Sequence, residues 1–162
     1  ALEIKEDLQK YADKHYNHRD IYFLGRGLDY AVAMEGSLKL KEISYIHCDA
    51  YAGGELKHGP IALIDKGTAV ITLLTQEALK DKMVSNVREV STRGGNIFAI
   101  ANQGDEIAKT VAEEVVYIPK TVDLLTPLVS VVPLQLLSYY VAKNKGCDVD
   151  KPRNLAKSVT VE

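Results

Sequence analysis

Short apolar runs separated by longer helical patterns constrain the fold of this chain more than any other feature. The runs are IYFLG (21–25), GTAVITLL (67–74), GGNIFAIAN (94–102) and VVYIP (115–119), with CDAYA (48–52) as a possible short edge strand. Strands that are apolar on both faces are typical of a parallel sheet covered by helices on both sides. The sequence therefore predicts a three-layer α/β/α sandwich with about five mostly parallel strands.

Apolar residues at helical spacing predict helices before, between and after these strands. The predicted helices cover an N-terminal segment with Ile4, Leu8 and Tyr11 on one face, then 30–46, 78–92, a short stretch from Glu106, and 123–144. Pro133 predicts a kink in the last of them, because proline removes a backbone donor inside a helix. This alternation is that of a flavodoxin-like fold.

The loop Gly25-Arg26-Gly27 follows the first predicted strand. In such sheets ligands bind beyond the carboxyl ends of the strands, where the strand order reverses, and this loop lies there if IYFLG is central. The loop matches half of a dinucleotide-binding fingerprint, but Tyr30 stands where the third glycine belongs. NAD binding is therefore disfavoured, and a Walker loop is absent from the sequence.

Composition excludes several classes of protein. A chain of 162 residues suffices for one domain, and a net charge of -2 argues against a non-specific nucleic-acid binder. Cys48 and Cys147 lack CxxC partners, which disfavours a structural zinc site or a disulfide framework. We expect no membrane-spanning run and no signal peptide, which favours a cytoplasmic location.

The chain opens on ALEIKEDLQK, without methionine and directly on a predicted helix. Such a start fits either a processed protein or a domain cut from a longer one, and we expect the second. Residues 1–149 are expected to form one domain. Residues 150–162 form a polar C-terminal tail without clear periodicity.

Three charged residues share one face of the predicted helix over 30–46. At about 100° per residue, Glu35, Lys39 and Glu42 fall within an arc of roughly 60°. The rest of this helix is nearly all apolar, which predicts burial, and buried charges need partners or a water-lined cavity. The three residues, called the charged row below, form either ordinary helix salt bridges or a ligand-facing site for proton transfer.

Two further residues have both an ordinary and a functional interpretation. His58 lies in GGELKHGP, a segment rich in turn residues, and is either a solvated loop histidine or an acid–base group. Lys157 in the tail is either an exposed lysine or, if held in a pocket, an amine able to form a Schiff base.

Four segments together resemble the C-terminal part of the glucosamine-6-phosphate synthase family. They are EGSLKLKEISYIH (35–47), AYAGGELKHGP (50–60), PLQLLSYYVAKNKG (133–146) and DKPRNLAKSVTVE (150–162). The resemblance implies a second sugar isomerase (SIS) domain with its tail, preceded in the whole enzyme by a glutaminase domain and a first SIS domain. The SxSGxT-type loop that holds the sugar phosphate in the first SIS domain is replaced here by Thr75-Gln76-Glu77-Ala78.

The resemblance also implies a reaction and residue roles. Fructose 6-phosphate and glutamine give glucosamine 6-phosphate and glutamate, with ammonia passing through a channel and no metal or cofactor required. His58 would open the sugar ring and reach the site of the neighbouring subunit of a homodimer. Lys157 would form the Schiff base, Glu42 would move the proton between the first two carbons, Lys39 would assist at the first hydroxyl, and Glu35 would bind or orient.

Three classes of function remain open on the residues alone. The first is the isomerase domain of such an amidotransferase, expected to be inactive as a synthase in isolation. The second is a non-catalytic sugar-phosphate-binding SIS domain, which needs none of Glu42, His58 and Lys157. The third, a structural dimerisation domain, leaves the charged row without a purpose.

Overall fold

A five-stranded parallel sheet in the order β2-β1-β3-β4-β5 organises the domain in the computed structural model, which describes residues 4–155. The strands are β1 Asp20–Gly25, β2 His47–Ala52, β3 Ala69–Leu74, β4 Asn96–Asn102 and β5 Glu114–Ile118. All five predicted strands are present, and the CDAYA segment forms the edge strand β2. The predicted sheet is confirmed.

Helices cover both faces of the sheet. They are α1 Lys5–His15, α2 Leu28–Ser44, α3 Lys80–Ser91 and α4 Thr126–Asn144, joined by short 3-10 helices at Gly53–His58, Pro60–Leu63, Glu77–Leu79, Ala108–Thr110 and Asp123–Leu125. Side chains of α1, α2 and α4 form one hydrophobic cluster on the sheet, and α3 belongs to a second. The three-layer α/β/α arrangement is confirmed, and the short helix expected from residue 106 is a 3-10 turn.

The strands divide their side chains between these two clusters with a period of two. Ile21 and Phe23 belong to the cluster under α1, α2 and α4, whereas Tyr22 and Leu24 belong to the cluster under α3. All six residues of β3 are buried. Burial on both faces explains why these strands are continuous apolar runs without polar alternation.

The segment Asp123–Asn144, which is α4 with the turn before it, is 22 residues long and apolar enough to cross a membrane by length and composition alone. The expectation that no apolar run reaches that length is therefore wrong. In the domain, Leu134, Leu137 and Val141 of this helix are each 1% exposed and pack in the core. The helix runs through Pro133 without interruption, and a bend of its axis there stays a prediction.

Strand order reverses between β1 and β3. The chain goes from β1 outward to the edge strand β2 and then returns to pair β3 with the other side of β1. The middle strand is β3, so IYFLG is not central. It nevertheless borders the reversal, and the loop after β1 and the residues after β3 therefore meet at the place where such sheets bind ligands.

Candidate functional site

The start of α2 is fastened to the end of β3 at this reversal. The Asp29 carboxylate accepts hydrogen bonds from the backbone N–H of Thr75 at 2.8 Å, the backbone N–H of Gln76 at 3.3 Å, and the Thr75 hydroxyl. Asp29 is 3% exposed, and this burial raises its pKa although the three hydrogen bonds oppose the shift. The chain's own carboxylate thus occupies backbone donors that could otherwise face an anion.

Close packing at the same place requires glycine. A Cβ at Gly25 would lie 2.3 Å from the backbone oxygen of Asp29. Because that contact is with backbone, no side-chain movement relieves it. Gly25 therefore allows α2 to begin directly against the end of β1.

The charged row lies on α2 as predicted. Lys39 Nζ is 2.8 Å from Glu42 Oε2 and 3.8 Å from Glu35 Oε1. The side chains of Glu35, Lys39 and Glu42 are 42%, 36% and 26% exposed, so the row is half-open to solvent. The hydrogen bond to Glu42 is the largest cause of a raised pKa for Lys39, which keeps the ammonium charged.

The prediction that α2 is buried nearly all round is wrong. Met34 and Leu38, which flank the charged row, are 44% and 42% exposed. Val32, Ala33 and Leu40 of the same helix pack in the core. The apolar side chains of α2 therefore lie on two surfaces of the helix, one packed against the sheet and one exposed beside the charged row.

His58 ends the 3-10 helix Gly53–His58, and its side chain is 72% exposed. Its Nδ1 lies 2.8 Å from Glu55 Oε2. Leu56 of the same segment packs into the cluster under α3, which is on the face of the sheet opposite the row. A single copy of the domain therefore does not gather His58 with the charged row.

Arg26 supports the segment that carries His58. Its guanidinium donates to Asn86 Oδ1 of α3 at 3.2 Å, and a Cβ at Gly54 would lie 3.2 Å from the guanidinium nitrogens. The loop after β1 is thus tied to α3 and to the 3-10 helix after β2. Sequence reasoning placed Gly25-Arg26-Gly27 at the reversal but did not identify this supporting role.

The tail contacts the C-terminal end of α2. The backbone N–H of Arg153 donates to the Tyr45 hydroxyl at 2.9 Å, and its guanidinium carbon lies 4.0 Å from the centre of the Tyr45 ring. Lys157, the predicted imine lysine, lies outside the described residues. Sequence reasoning missed Tyr45, because no local pattern pairs an aromatic residue with an arginine 108 positions later.

A second polar cluster lies beyond the ends of β3 and β4. Lys80 is 8% exposed, and its ammonium contacts Asp105 at 3.0 Å and Glu77 at 2.9 Å. Asn102 donates to the backbone oxygen of Thr75 at 2.9 Å. These contacts hold the loops after the two strands together, and only the Glu77–Lys80 pair, at i,i+3 spacing, could be expected from local sequence.

Within residues 4–155, no group of three or more His, Cys, Asp or Glu side chains is placed to hold a metal ion. Cys48 is buried, and this burial raises the pKa of its thiol to about 12. A thiol with such a pKa is a poor nucleophile near neutral pH. Among the residues described, the charged row and His58 therefore remain the candidate acid–base groups.

A sequence model of the SIS domain matches residues 15–144, which is most of the chain. The chain belongs to the SIS domain family. In this SIS domain the matched region runs from the end of α1 to the end of α4 and so includes the whole sheet, the charged row and His58.

Curated relatives carry one activity in their names. The SIS domain is 65% identical over 162 residues to glutamine–fructose-6-phosphate aminotransferase (isomerizing) of Clostridium tetani, covering 100% of this chain and 27% of that protein. It is 62% identical over 161 residues to the enzyme of the same name from Caldanaerobacter subterraneus, covering 99% of this chain and 26% of that protein. The chain spans about a quarter of the length of these relatives.

A solved structure agrees with this SIS assignment. The C-terminal domain of glucosamine-fructose-6-phosphate aminotransferase from Francisella tularensis superposes with a TM-score of 0.86 and 41% identity, covering 93% of this chain and 42% of that chain. In this SIS domain, an ammonium held between two partly exposed carboxylates can donate hydrogen bonds to hydroxyl groups, and the carboxylates can accept protons.

Proposed function

We propose that this SIS domain is the isomerase portion of a glutamine–fructose-6-phosphate aminotransferase, converting fructose 6-phosphate and glutamine-derived ammonia to glucosamine 6-phosphate. Relatives 62–65% identical over essentially the whole chain have that name. The observation that carries the proposal is the contact of the tail with Tyr45, at the end of the helix that bears Glu42. This contact places Arg153 at the end of α2, where Tyr45 lies three residues after Glu42 in the sequence, which supports a role for the tail at the same site.

The proposed chemistry uses the charged row and the tail in sequence. The Lys157 amine attacks the carbonyl of the open-chain ketose and water leaves, giving an imine. Ammonia then adds at the imine carbon and displaces the lysine. Glu42 removes a proton from the first carbon and returns it to the second, which converts the ketose derivative to the aldose.

Lys39 and Glu35 support that proton transfer. Lys39 donates to Glu42 at 2.8 Å, and its ammonium can also assist proton movement at the first hydroxyl of the sugar. Glu35 lies 3.8 Å from the same ammonium and is assigned an orienting role. The row therefore acts as one coupled unit in which the position of Lys39 depends on both carboxylates.

His58 is assigned the ring-opening step in the neighbouring subunit of a homodimer. The support is the exposure of His58 and the packing of its segment, through Leu56, on the face of the sheet opposite the charged row. Its contact with Glu55 orients the imidazole. The proposed site therefore needs a second copy of the domain. The exposed apolar side chains of Met34 and Leu38 offer a surface that such a copy could cover.

Residues 1–149 are proposed as the SIS domain proper and 150–162 as a catalytic tail, in a cytoplasmic enzyme whose other domains supply the glutaminase and the first SIS domain. A non-catalytic sugar-phosphate-binding domain is less favoured, because the Asp29 carboxylate occupies the backbone donors after β3. Incubating the isolated 162 residues with fructose 6-phosphate and glutamine should yield no glucosamine 6-phosphate.

Replacing Glu42 with glutamine in the full-length enzyme tests the proposal. The amide keeps the shape but cannot take a proton, so isomerisation should fall at least about a hundredfold, the size typical of a lost general base. Glutamine hydrolysis should stay close to wild type. Glu106→Gln, a change at an 81% exposed glutamate outside the row, is the matched control. Full isomerase activity in Glu42→Gln would refute the assignment.

A further inference from the structure

Tyr45 ends α2 in a conformation that tyrosine rarely adopts. Its φ of 61° and ψ of 18° place it in the left-handed region, where a side chain is strained. Its backbone N–H donates to the Lys41 oxygen at 3.1 Å, so the residue closes the helix. Glycine is the usual residue at such a helix end, because it adopts the conformation without strain. A tyrosine here needs a reason beyond ending the helix.

The side chain of Tyr45 provides that reason. Its hydroxyl accepts the backbone N–H of Arg153 at 2.9 Å, and the Arg153 guanidinium carbon lies 4.0 Å from the ring centre. One residue thus holds the tail through a hydrogen bond and a cation–π contact together. We call these two contacts the Tyr45–Arg153 clasp.

The chain between α4 and the clasp is also fixed. The Asp148 carboxylate accepts the backbone N–H groups of Asp150 at 2.9 Å and Lys151 at 3.0 Å, which closes a turn. The tail is therefore held at two points, the turn and the clasp. Arg153 precedes Lys157 by four positions in the sequence. Glu42 lies three residues before Tyr45, within about one helical turn.

We propose that Tyr45 is a positioning residue, which through Arg153 sets the tail so that Lys157 reaches the sugar beside Glu42. This inference rests on the proposed function, because it assigns Tyr45 a part in the same site. The strained helix end is then kept because the clasp, and not the cap, requires an aromatic ring at this position.

Borohydride trapping in the full-length enzyme measures the positioning directly. With fructose 6-phosphate present, reduction fixes the imine on Lys157, and peptide mass analysis gives the rate of labelling. Tyr45→Gly removes the clasp but suits the left-handed helix end, so it separates positioning from folding. Labelling should fall about tenfold, the size of one exposed cation–π contact plus one hydrogen bond. The rate of glutamine hydrolysis and the thermal stability of Tyr45→Gly should stay at the wild-type level.

Further variants sharpen the test. Tyr45→Phe keeps the ring and loses the hydroxyl, so labelling should fall less than in Tyr45→Gly. Adding Arg153→Ala to Tyr45→Gly should cause no further loss, because both changes break the same clasp. Tyr139→Leu, at a tyrosine that is 42% exposed on α4, is the control and should label at the wild-type rate.

The outcomes separate this inference from the proposed function. If Lys157→Ala abolishes labelling while Tyr45→Gly labels at the wild-type rate, the clasp has no positioning role and the inference is overturned, with the proposed function intact. If a lysine other than Lys157 carries the label, the imine role assigned under the proposed function fails first. A tenfold loss in Tyr45→Gly with unchanged thermal stability supports positioning.

Discussion

Replacing Asp29 with alanine removes the buried acceptor that joins the start of α2 to the end of β3. Two backbone N–H groups, those of Thr75 and Gln76, then lose their partner in a place where Asp29 is 3% exposed. A buried donor left unsatisfied costs about 1–3 kcal/mol. The Thr75 hydroxyl can rotate to another acceptor, so the two amides set the size of the effect.

We expect Asp29→Ala to lower the free energy of unfolding by about 3 kcal/mol, after allowing for the cost of burying the wild-type carboxylate. The free energy of unfolding of a domain is only about 5–15 kcal/mol in total, so this loss is large. Asp29→Asn keeps one oxygen acceptor and should lose less, about 1–2 kcal/mol.

The difference between wild type and Asp29→Asn should depend on pH. Burial raises the pKa of Asp29 above its ordinary value of 3.8, so the folded state holds this proton more readily than the unfolded chain. Because the folded state binds this proton more tightly, protonation stabilises the folded state, and the stabilisation is fully present below pH 3.8. It is lost as the pH rises through the raised pKa of Asp29. The advantage of wild type over Asp29→Asn should therefore shrink as pH rises from about 4.

Urea unfolding of the 162-residue chain between pH 4 and 8 measures both effects. Asp81→Ala, at an exposed aspartate in the first turn of α3, is the matched control and should change stability by less than about 0.5 kcal/mol. If Asp29→Ala is as stable as that control, the two amides find other partners and the reasoning is wrong.

Two further changes test packing and titration. Gly36→Ala places a Cβ 2.5 Å from Leu134 Cδ1, so the overpacking cost of about 1–3 kcal/mol should exceed the helix-propensity gain of about 1 kcal/mol. Urea unfolding should show a net loss, and a more stable variant would contradict this. Burial, then the nearby His18, lowers the pKa of His15 from 6.5 to about 4. The free energy of unfolding should fall as pH drops from 6.5 to about 4, by up to about 1.4 kcal/mol per pH unit, because the unfolded chain protonates His15 first. His15→Gln should flatten that slope, and an unchanged slope would show that His15 is not responsible.

The fold could be predicted because its strands are buried on both faces. The run at 67–74 is apolar throughout, and the structure buries every residue of β3, so pattern and environment agree. The ends of the helices could not be predicted as closely as the strands. The helix expected over 78–92 begins at Lys80, after a 3-10 turn at Glu77–Leu79, since the first turn tightens where the chain leaves β3.

The candidate site could be predicted only where it depends on one element. Helical geometry alone places Glu35, Lys39 and Glu42 on one face. Their exposure could not be predicted, because apolar neighbours such as Met34 and Leu38 do not reveal whether the domain's own core or another surface covers them.

Contacts between distant segments were beyond the sequence for a related reason. The Asp29 contact with Thr75 spans 46 positions, and the contact of Tyr45 with Arg153 spans 108. Such pairs depend on the order of strands and on where the tail returns, and neither is written in local periodicity. Both contacts fix loops at the ends of α2, the helix that carries the charged row.

A crystal structure of the full-length enzyme with fructose 6-phosphate tests the central claim most directly. We expect the Glu42 carboxylate and the Lys157 amine both to lie within about 3 Å of the groups on the first two sugar carbons, with His58 of the second subunit at the ring oxygen. A sugar bound with Glu35, Lys39 and Glu42 in open solvent, away from its carbons, would contradict the account.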